Sequence, residues 1–291
     1  MLLLTGATGL VGSAVLRRLV AEGAEVRCLV RNPRRLGAQR VRVQIALGDL
    51  TDPPSFRNAL RGVHTVVHLA ASIRDQPRGS IEEINGIATW RMVEAAERSG
   101  VERFVFFSIL GASTHQRARL LRAKALAEQA VRESRLHSTV FAPSIVYAPG
   151  DPWLTLLERL ALLPLMPVSG RGRATYQPIW VEDVADCVIA SLRASDGRDR
   201  YELAGPEELS HNEIVRTVLR SLNRSRPLLH VPTAIVSRAL RLLEAVTGQR
   251  AFATWDEAEL MEVPMISSGG VADALSLGVT PAPMPAVLGA G

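Results

Sequence analysis

The chain has 291 residues, of which 47% are hydrophobic and 22% charged, with a net charge of +5. That length can bury a sizeable core, and the composition excludes disorder, collagen and coiled coil as global readings. The two cysteines, Cys28 and Cys187, fall in different segments, so a disulfide framework is excluded, no Cys/His cluster has metal-ligand spacing, and a reducing cytoplasm is the expected setting.

In chain order, the first predicted strand, Leu2–Leu4, runs into Thr5-Gly6-Ala7-Thr8-Gly9-Leu10-Val11-Gly12, which opens a predicted helix Leu10–Glu22. Glycines at 6, 9 and 12 suit a sharp turn, a close backbone approach to a pyrophosphate, and tight helix–strand packing. The first turn of the helix, at Leu10 and Val11, offers free N–H groups to phosphate. The second predicted strand, Val26–Val30, ends in Arg31-Asn32-Pro33-Arg34-Arg35, where an NAD-selective site carries an acidic residue. Arg31 and the pair Arg34 and Arg35 suit a 2′-phosphate by charge and bidentate geometry, so NADP(H) is favoured over NAD(H); a solvated basic loop is the alternative.

A third strand, Val41–Ala46, leads to Gly48-Asp49-Leu50, where such folds meet the adenine; Asp49 is placed to accept from its amino group. After a helix Pro54–Arg61 and a strand Thr65–Leu69, the residues Leu69, Ala70 and Ala71 border the pyrophosphate path, the small alanines permitting close approach, and His68 reads as structural. A helix Ile81–Ser99, a strand Phe104–Phe107, a helix Gln116–Glu133 and a strand Thr139–Phe141 complete an alternating series. Several strands are apolar on both faces, as in a parallel sheet covered on both sides. The fold class is α/β: a Rossmann-type, doubly wound parallel sheet over residues 1–143, with a small, mostly helical C-terminal lobe over 144–291 whose segments near 174–204 return to the core.

The lobe carries two very apolar stretches, Trp153–Pro167 and Ile235–Val246. Each reads as core packing or as a surface for an apolar partner, such as a quinone, an isoprenoid or a membrane face. The run Trp153–Val168 is interrupted by Glu158, Arg159 and prolines, and no signal-peptide pattern precedes the first motif. The expected setting is therefore cytoplasmic, with peripheral contact at the inner face of a membrane. Arg171 and Arg173 suit an anionic substrate group or a solvated loop. The basic residues are 33 Arg and the single Lys124, scattered among few aromatics, so no nucleic-acid partner is expected.

Together, Thr5–Gly12, Asp49-Leu50, His68–Ala71, Asn85 and Gln177-Pro178-Ile179-Trp180-Val181-Glu182-Asp183-Val184 resemble an extended short-chain dehydrogenase/reductase over roughly Met1 to Leu192. Val30-Arg31-Asn32-Pro33, Gly100–Val105, Leu110–Ser113 and Ala142–Tyr147 look most like the atypical group that contains the NADPH-binding accessory subunit of respiratory complex I. The resemblance implies that Thr8, Leu50, Asn85, Ser108, Lys124 and Pro143 also contact the dinucleotide, and that the helices Ile81–Ser99 and Gln116–Glu133 pair if the chain is a homodimer and not a monomer.

That superfamily uses Tyr-x-x-x-Lys on one helix face, the ammonium lowering the phenol pKa while the phenol exchanges a proton with substrate. Here Lys124 is present and Leu120 stands in the tyrosine's place. Ile109 falls near the expected hydroxyl, with Ser108 beside it. Tyr147 and His115 are the substitute proton donors to consider. The expected protein binds NADP(H) without the tyrosine route and has a redox-sensing or assembly role linked to quinone or lipid metabolism. The alternative is an active NADP-dependent reductase, dehydratase or epimerase on an apolar or nucleotide-linked substrate.

Overall fold

The computed structural model describes residues 1–194, 198–238, 240 and 254–289. Its centre is a seven-stranded sheet. The strands are β1 (Leu2–Thr5), β2 (Val26–Val30), β3 (Gln44–Leu47), β4 (Thr65–His68), β5 (Arg103–Phe107), β6 (His137–Pro143) and β11 (Arg200–Leu203), in the spatial order β3-β2-β1-β4-β5-β6-β11. Every pairing in it is parallel. The strand order reverses beside β1, the switch point at which doubly wound sheets open a crevice at their carboxyl ends.

Alternation along the strands explains the two covered faces. Leu4, Cys28, Val67, Val105 and Phe141 point to one side, where α1 (Leu10–Ala21) and α6 (Val181–Arg193) pack. Leu3, Leu29, Val66, Phe104 and Val140 point to the other, under α3 (Ala88–Arg98) and α4 (Arg119–Glu133). Arg18 ties the first pair of helices together, with Nη1 2.6 Å from Glu182 and Nε 2.5 Å from Asp186.

Some boundaries differ from the sequence expectation, for local reasons. The segment before β3 is taken by 3-10 turns over Pro33–Val41, broken at Gly37 with φ 57°, so the strand starts at Gln44. The predicted helix Ile81–Ser99 opens as a π-turn, Glu83–Ile87, before α3 begins. The helix predicted from Gln116 starts at Arg119. Strand β6 gains two residues at each end.

The C-terminal lobe has its own apolar cluster, including Leu154, Leu157, Met166, Tyr176, Ile214 and Val218. Around it lie β7 (Val146–Tyr147), α5 (Pro152–Leu160), β8 (Met166–Ser169), β9 (Thr175–Tyr176), β10 (Ile179–Trp180), β12 (Leu209–Ser210), α7 (His211–Ser221) and β13 (Leu228–Val231). Short pairs β10–β7, β12–β9 and β13–β8 knit the lobe. Of the predicted helix Ile235–Val246, Arg241, Leu242, Leu243 and Val246 lie outside the described residues.

Candidate dinucleotide site

The glycine loop leaves β1 and enters α1 where the sheet opens. Gly6 has φ +73°, a conformation L side chains rarely adopt, and a Cβ on it would meet the Ala70 nitrogen at 2.6 Å. A Cβ on Gly12 would lie 2.0 Å from the Gly6 carbonyl oxygen. Both positions therefore require glycine, and both bring backbone against backbone. Gly9 is the N-cap of α1 and supplies no side chain to satisfy the helix's first N–H groups. At Leu10, Val11 and Gly12 those groups remain available to an anion.

A cleft of about 280 Å³ opens at this point. Gly6, Ala7, Thr8, Gly9, Leu50, Leu69, Ala70 and Ala71 line it, together with Arg31 and Asp49. Arg35 also lines it, and Arg34 does not. The difference between the two has a local cause: Arg34 follows Pro33 at the start of the 3-10 turn, its N–H capped by Asn32 Oδ1 at 3.0 Å, and Arg35 faces the cleft.

Asp49 is shaped as an acceptor. Its Oδ1 takes hydrogen bonds from the Thr51 N–H (3.1 Å) and hydroxyl (3.0 Å), while Oδ2 is buried with no hydrogen-bond partner among the described residues. The Arg78 guanidinium, 3.9 Å away, is the nearest cation to Oδ2. An orphaned buried carboxylate oxygen beside a groove that only glycine permits fits a ligand bearing a donor amine and a pyrophosphate.

Sequence reasoning missed one wall. The chain after β4 forms a tight turn, Gln76 and Gly79 exchanging backbone hydrogen bonds at 2.9 and 3.1 Å, and carries Gln76 and Arg78 to the cleft. The signal was Pro77-Arg78-Gly79. Asn85 stands behind this wall and does not line the cleft. It donates to the Ser72 carbonyl (2.7 Å) and the Ile81 carbonyl (2.8 Å) and accepts from the Ser72 N–H (3.2 Å), holding Ser72 at the cleft edge.

Beneath the loop, His68 is fully buried between the hydroxyls of Thr5 (2.9 Å) and Thr89 (3.2 Å). Burial, with Lys124 nearby, pushes it down to about 3, so it is a neutral structural link. The Thr5 hydroxyl also accepts from the Ala70 N–H at 3.3 Å, which fixes the close approach of β4 to Gly6.

Further along the strand ends lies a buried polar cluster. Lys124 Nζ donates to the Phe107 carbonyl at 2.5 Å and sits 4.8 Å over the Phe106 ring. Burial pushes this lysine down to about 7, opposed by the charge of Glu128. The Ser108 hydroxyl donates to Glu128, whose other oxygen accepts from Arg200 at 2.5 Å. Glu128 was missed by sequence reasoning. It lies one turn beyond Lys124 on the same helix face, a readable spacing, but its partner Arg200 comes from the distant edge strand. Pro143 ends β6 with its carbonyl accepting from the Leu110 N–H at 2.8 Å; neither it, Ser108 nor Lys124 lines the cleft.

Leu120, one turn before Lys124, is buried in the lobe's apolar cluster beside Ile81, Leu110 and Tyr147. Tyr147 is fully buried in the same cluster, its hydroxyl has no hydrogen-bond partner among the described residues, and desolvation together with Asp183 and Glu207 pushes its phenol up. His115 is exposed on the loop before α4, its backbone N–H bonded to Ser113 at 3.3 Å.

A sequence profile described as NAD(P)H-binding matches residues 6–195, from the first glycine of the loop to just past α6. The chain belongs to the NAD(P)H-binding family. It is similar to the photosystem II assembly factor Ycf39 of Cyanophora paradoxa, at 33% identity over 242 residues, covering 82% of this chain and 74% of that one. It is also 30% identical over 223 residues to the mitochondrial NADH dehydrogenase (ubiquinone) 1 alpha subcomplex subunit 9 of Arabidopsis thaliana, covering 72% of this chain and 54% of the relative. The chain thus spans about half the length of that relative. Among solved structures, a nucleoside-diphosphate-sugar epimerase of Staphylococcus aureus superposes with a TM-score of 0.78 over 99% of both chains at 20% identity, a likeness of fold. The family match begins at the first glycine of the loop and takes in the cleft and five of the sheet's seven strands, β2 to β6.

Proposed function

We propose that the protein binds NADP(H) in this cleft without a tyrosine-dependent proton relay, as a cofactor-sensing or assembly protein. The observation that carries the reading is the pairing of a complete phosphate-binding loop with Leu120 packed into the apolar cluster one turn before Lys124. Leucine transfers no proton, so the helix keeps its cation and lacks the acid. Relatives named as an assembly factor and as a respiratory-complex subunit support a role other than turnover. When bound, the cofactor supplies hydride chemistry; the chain's own residues bind and orient it. Preference for the 2′-phosphate rests on Arg31 and Arg35 at the end of β2, where no carboxylate competes. A reducing compartment fits the two buried free thiols, Cys28 and Cys187, each pushed up to about 12 by burial.

The buried Ser108–Glu128 pair favours one alternative. A hydroxyl bonded to a carboxylate near Lys124 is a proton-handling unit, as a reductase or epimerase requires. Fluorescence titrations of the purified protein with NADPH and NADH, followed by turnover assays on quinone, ceramide-like and nucleotide-sugar substrates, separate the readings. The expected outcome is tight NADPH binding, weak NADH binding and no turnover. Steady turnover abolished by Ser108→Ala installs the enzyme reading, and failure to bind either dinucleotide removes both.

A further inference from the structure

The edge of the C-terminal lobe away from the cleft presents leucine to water. Helix α5 buries only Leu154 and Leu157, and the chain after it leaves Leu162 64%, Leu163 46% and Leu165 44% exposed before β8. In β13, paired with β8, Leu229 lies opposite Pro167 and is 48% exposed. Tight local bonds hold the four leucines in one neighbourhood. The Leu162 and Leu163 N–H groups bond back to Arg159 and Leu160, and the Met166 N–H reaches the Pro227 carbonyl at 2.9 Å. Scattered exposed leucines need no explanation, but four gathered along one turn and one strand pair do.

The edge itself carries arginine and no carboxylate; Glu158 stands just before it on α5, and Glu262 meets its far end at the Thr233 hydroxyl (2.7 Å). No Asp or Glu occurs from residue 159 to 181, nor from 214 to 243. These two stretches supply both strands of the edge and the loops beside them. Arg159 lies one turn before the leucines, Arg224 Nη1 donates to the Ala161 carbonyl at 3.1 Å, and Arg226 adjoins Pro227. None of these three makes an ion pair among the described residues. Arg18, Arg74, Arg119 and Arg200, elsewhere in the molecule, are paired with carboxylates. Exposed leucines ringed by unpaired arginines match a bilayer surface with anionic headgroups: the leucines enter the acyl boundary while the guanidiniums meet phosphate. An acidic protein satisfies the arginines but leaves the apolar tip without a reason.

We infer that the Leu162–Leu165 and Leu229 edge, with Arg159, Arg224 and Arg226, docks the protein onto an anionic lipid surface. No helix of the described residues is long and apolar enough to cross a membrane, so the contact is peripheral. The inference stands independently of the cofactor reading.

The test is co-sedimentation of the full chain with vesicles of pure phosphatidylcholine and of phosphatidylcholine with phosphatidylglycerol, with melting temperature as the control for folding. Binding is expected on the anionic vesicles, weakened by salt, and absent on phosphatidylcholine alone. Leu162→Glu with Leu165→Glu removes it, and Arg159→Gln weakens it about fivefold, the factor for ~1 kcal/mol per arginine near such a surface. Both variants keep the wild-type melting temperature. Three outcomes overturn the inference: no vesicle binding, binding unchanged by the leucine variants, or a concentration-dependent dimer in sedimentation that those variants dissolve. A variant pair that fails to melt cooperatively is replaced by Leu229→Glu, read against the same outcomes.

Discussion

Lys124 sits among groups that disagree about its charge. The Phe107 carbonyl, the Phe106 ring and Glu128 favour the ammonium, while burial favours the neutral amine and wins, pushing the group down from 10.5 to about 7. Between those values the unfolded chain holds a proton that the folded chain has released. Folding stability therefore rises with pH from about 7 towards 10.5, and below 7 the penalty is constant. Thermal melts across pH 6–10 are expected to show this rise in the wild type and to lack it in Lys124→Met. The glycine loop gives a sharper single-residue outcome. In Gly12→Ala the new methyl lies on the Gly6 carbonyl, the loop must open, and NADPH affinity is expected to fall at least about tenfold in the fluorescence titration.

At the scale of elements, the wall of the cleft is fastened to the rest of the molecule by Arg119, the first residue of α4. Its guanidinium reaches Asp75 (3.0 Å), Glu82 (2.7 Å) and Asp256 (3.3 Å), joining the turn after β4, the start of the π-turn and the lobe helix Trp255–Leu260. Arg119 holds Glu82 down to about 2, so this contribution is complete above the ordinary carboxylate value of 4.5 and is lost as pH falls towards 2. Arg119→Met is expected to cost about 1–2 kcal/mol at pH 7 in denaturant unfolding, with the gap to wild type narrowing below pH 4.5 and closing only near pH 2. How far such elements were legible in the sequence depends on the range of their contacts. The loop from Gly6 to Gly12, the strand Val26–Val30 and the acceptor Asp49 announce themselves through local spacing. The π-turn at Glu83–Ile87 does not, because its cause lies in Asn85 bonding back to Ser72 and Ile81. Glu128 shares a helix face with Lys124, yet nothing local says that Arg200 will meet it. Which of the pair Arg34 and Arg35 faces the cleft turns on one residue of phase in a 3-10 turn, finer than periodicity resolves.

For the molecule as a whole, NADPH at a hundred times its dissociation constant is expected to stabilise the folded state by about 2.7 kcal/mol, read as a rise in melting temperature. The seventh strand sets a different kind of limit. Strand β11 returns from the lobe to close the sheet against β6, and its Arg200 completes the environment of Glu128. The stretch matched by the family profile stops at residue 195, before that strand. A fragment cut at this boundary keeps the glycine loop, the cleft and Lys124, but bares one edge of β6 along Val140–Pro143 and takes Arg200 from Glu128. Such a fragment is expected to appear in the insoluble fraction on expression, and one carried through Leu203 to recover part of the yield. The same geometry bears on synthesis. As the chain leaves the ribosome, the sheet waits with an open flank through the whole of α5, β8 and α6, and the portion that recognises the nucleotide becomes a finished body only when a strand from beyond it has emerged.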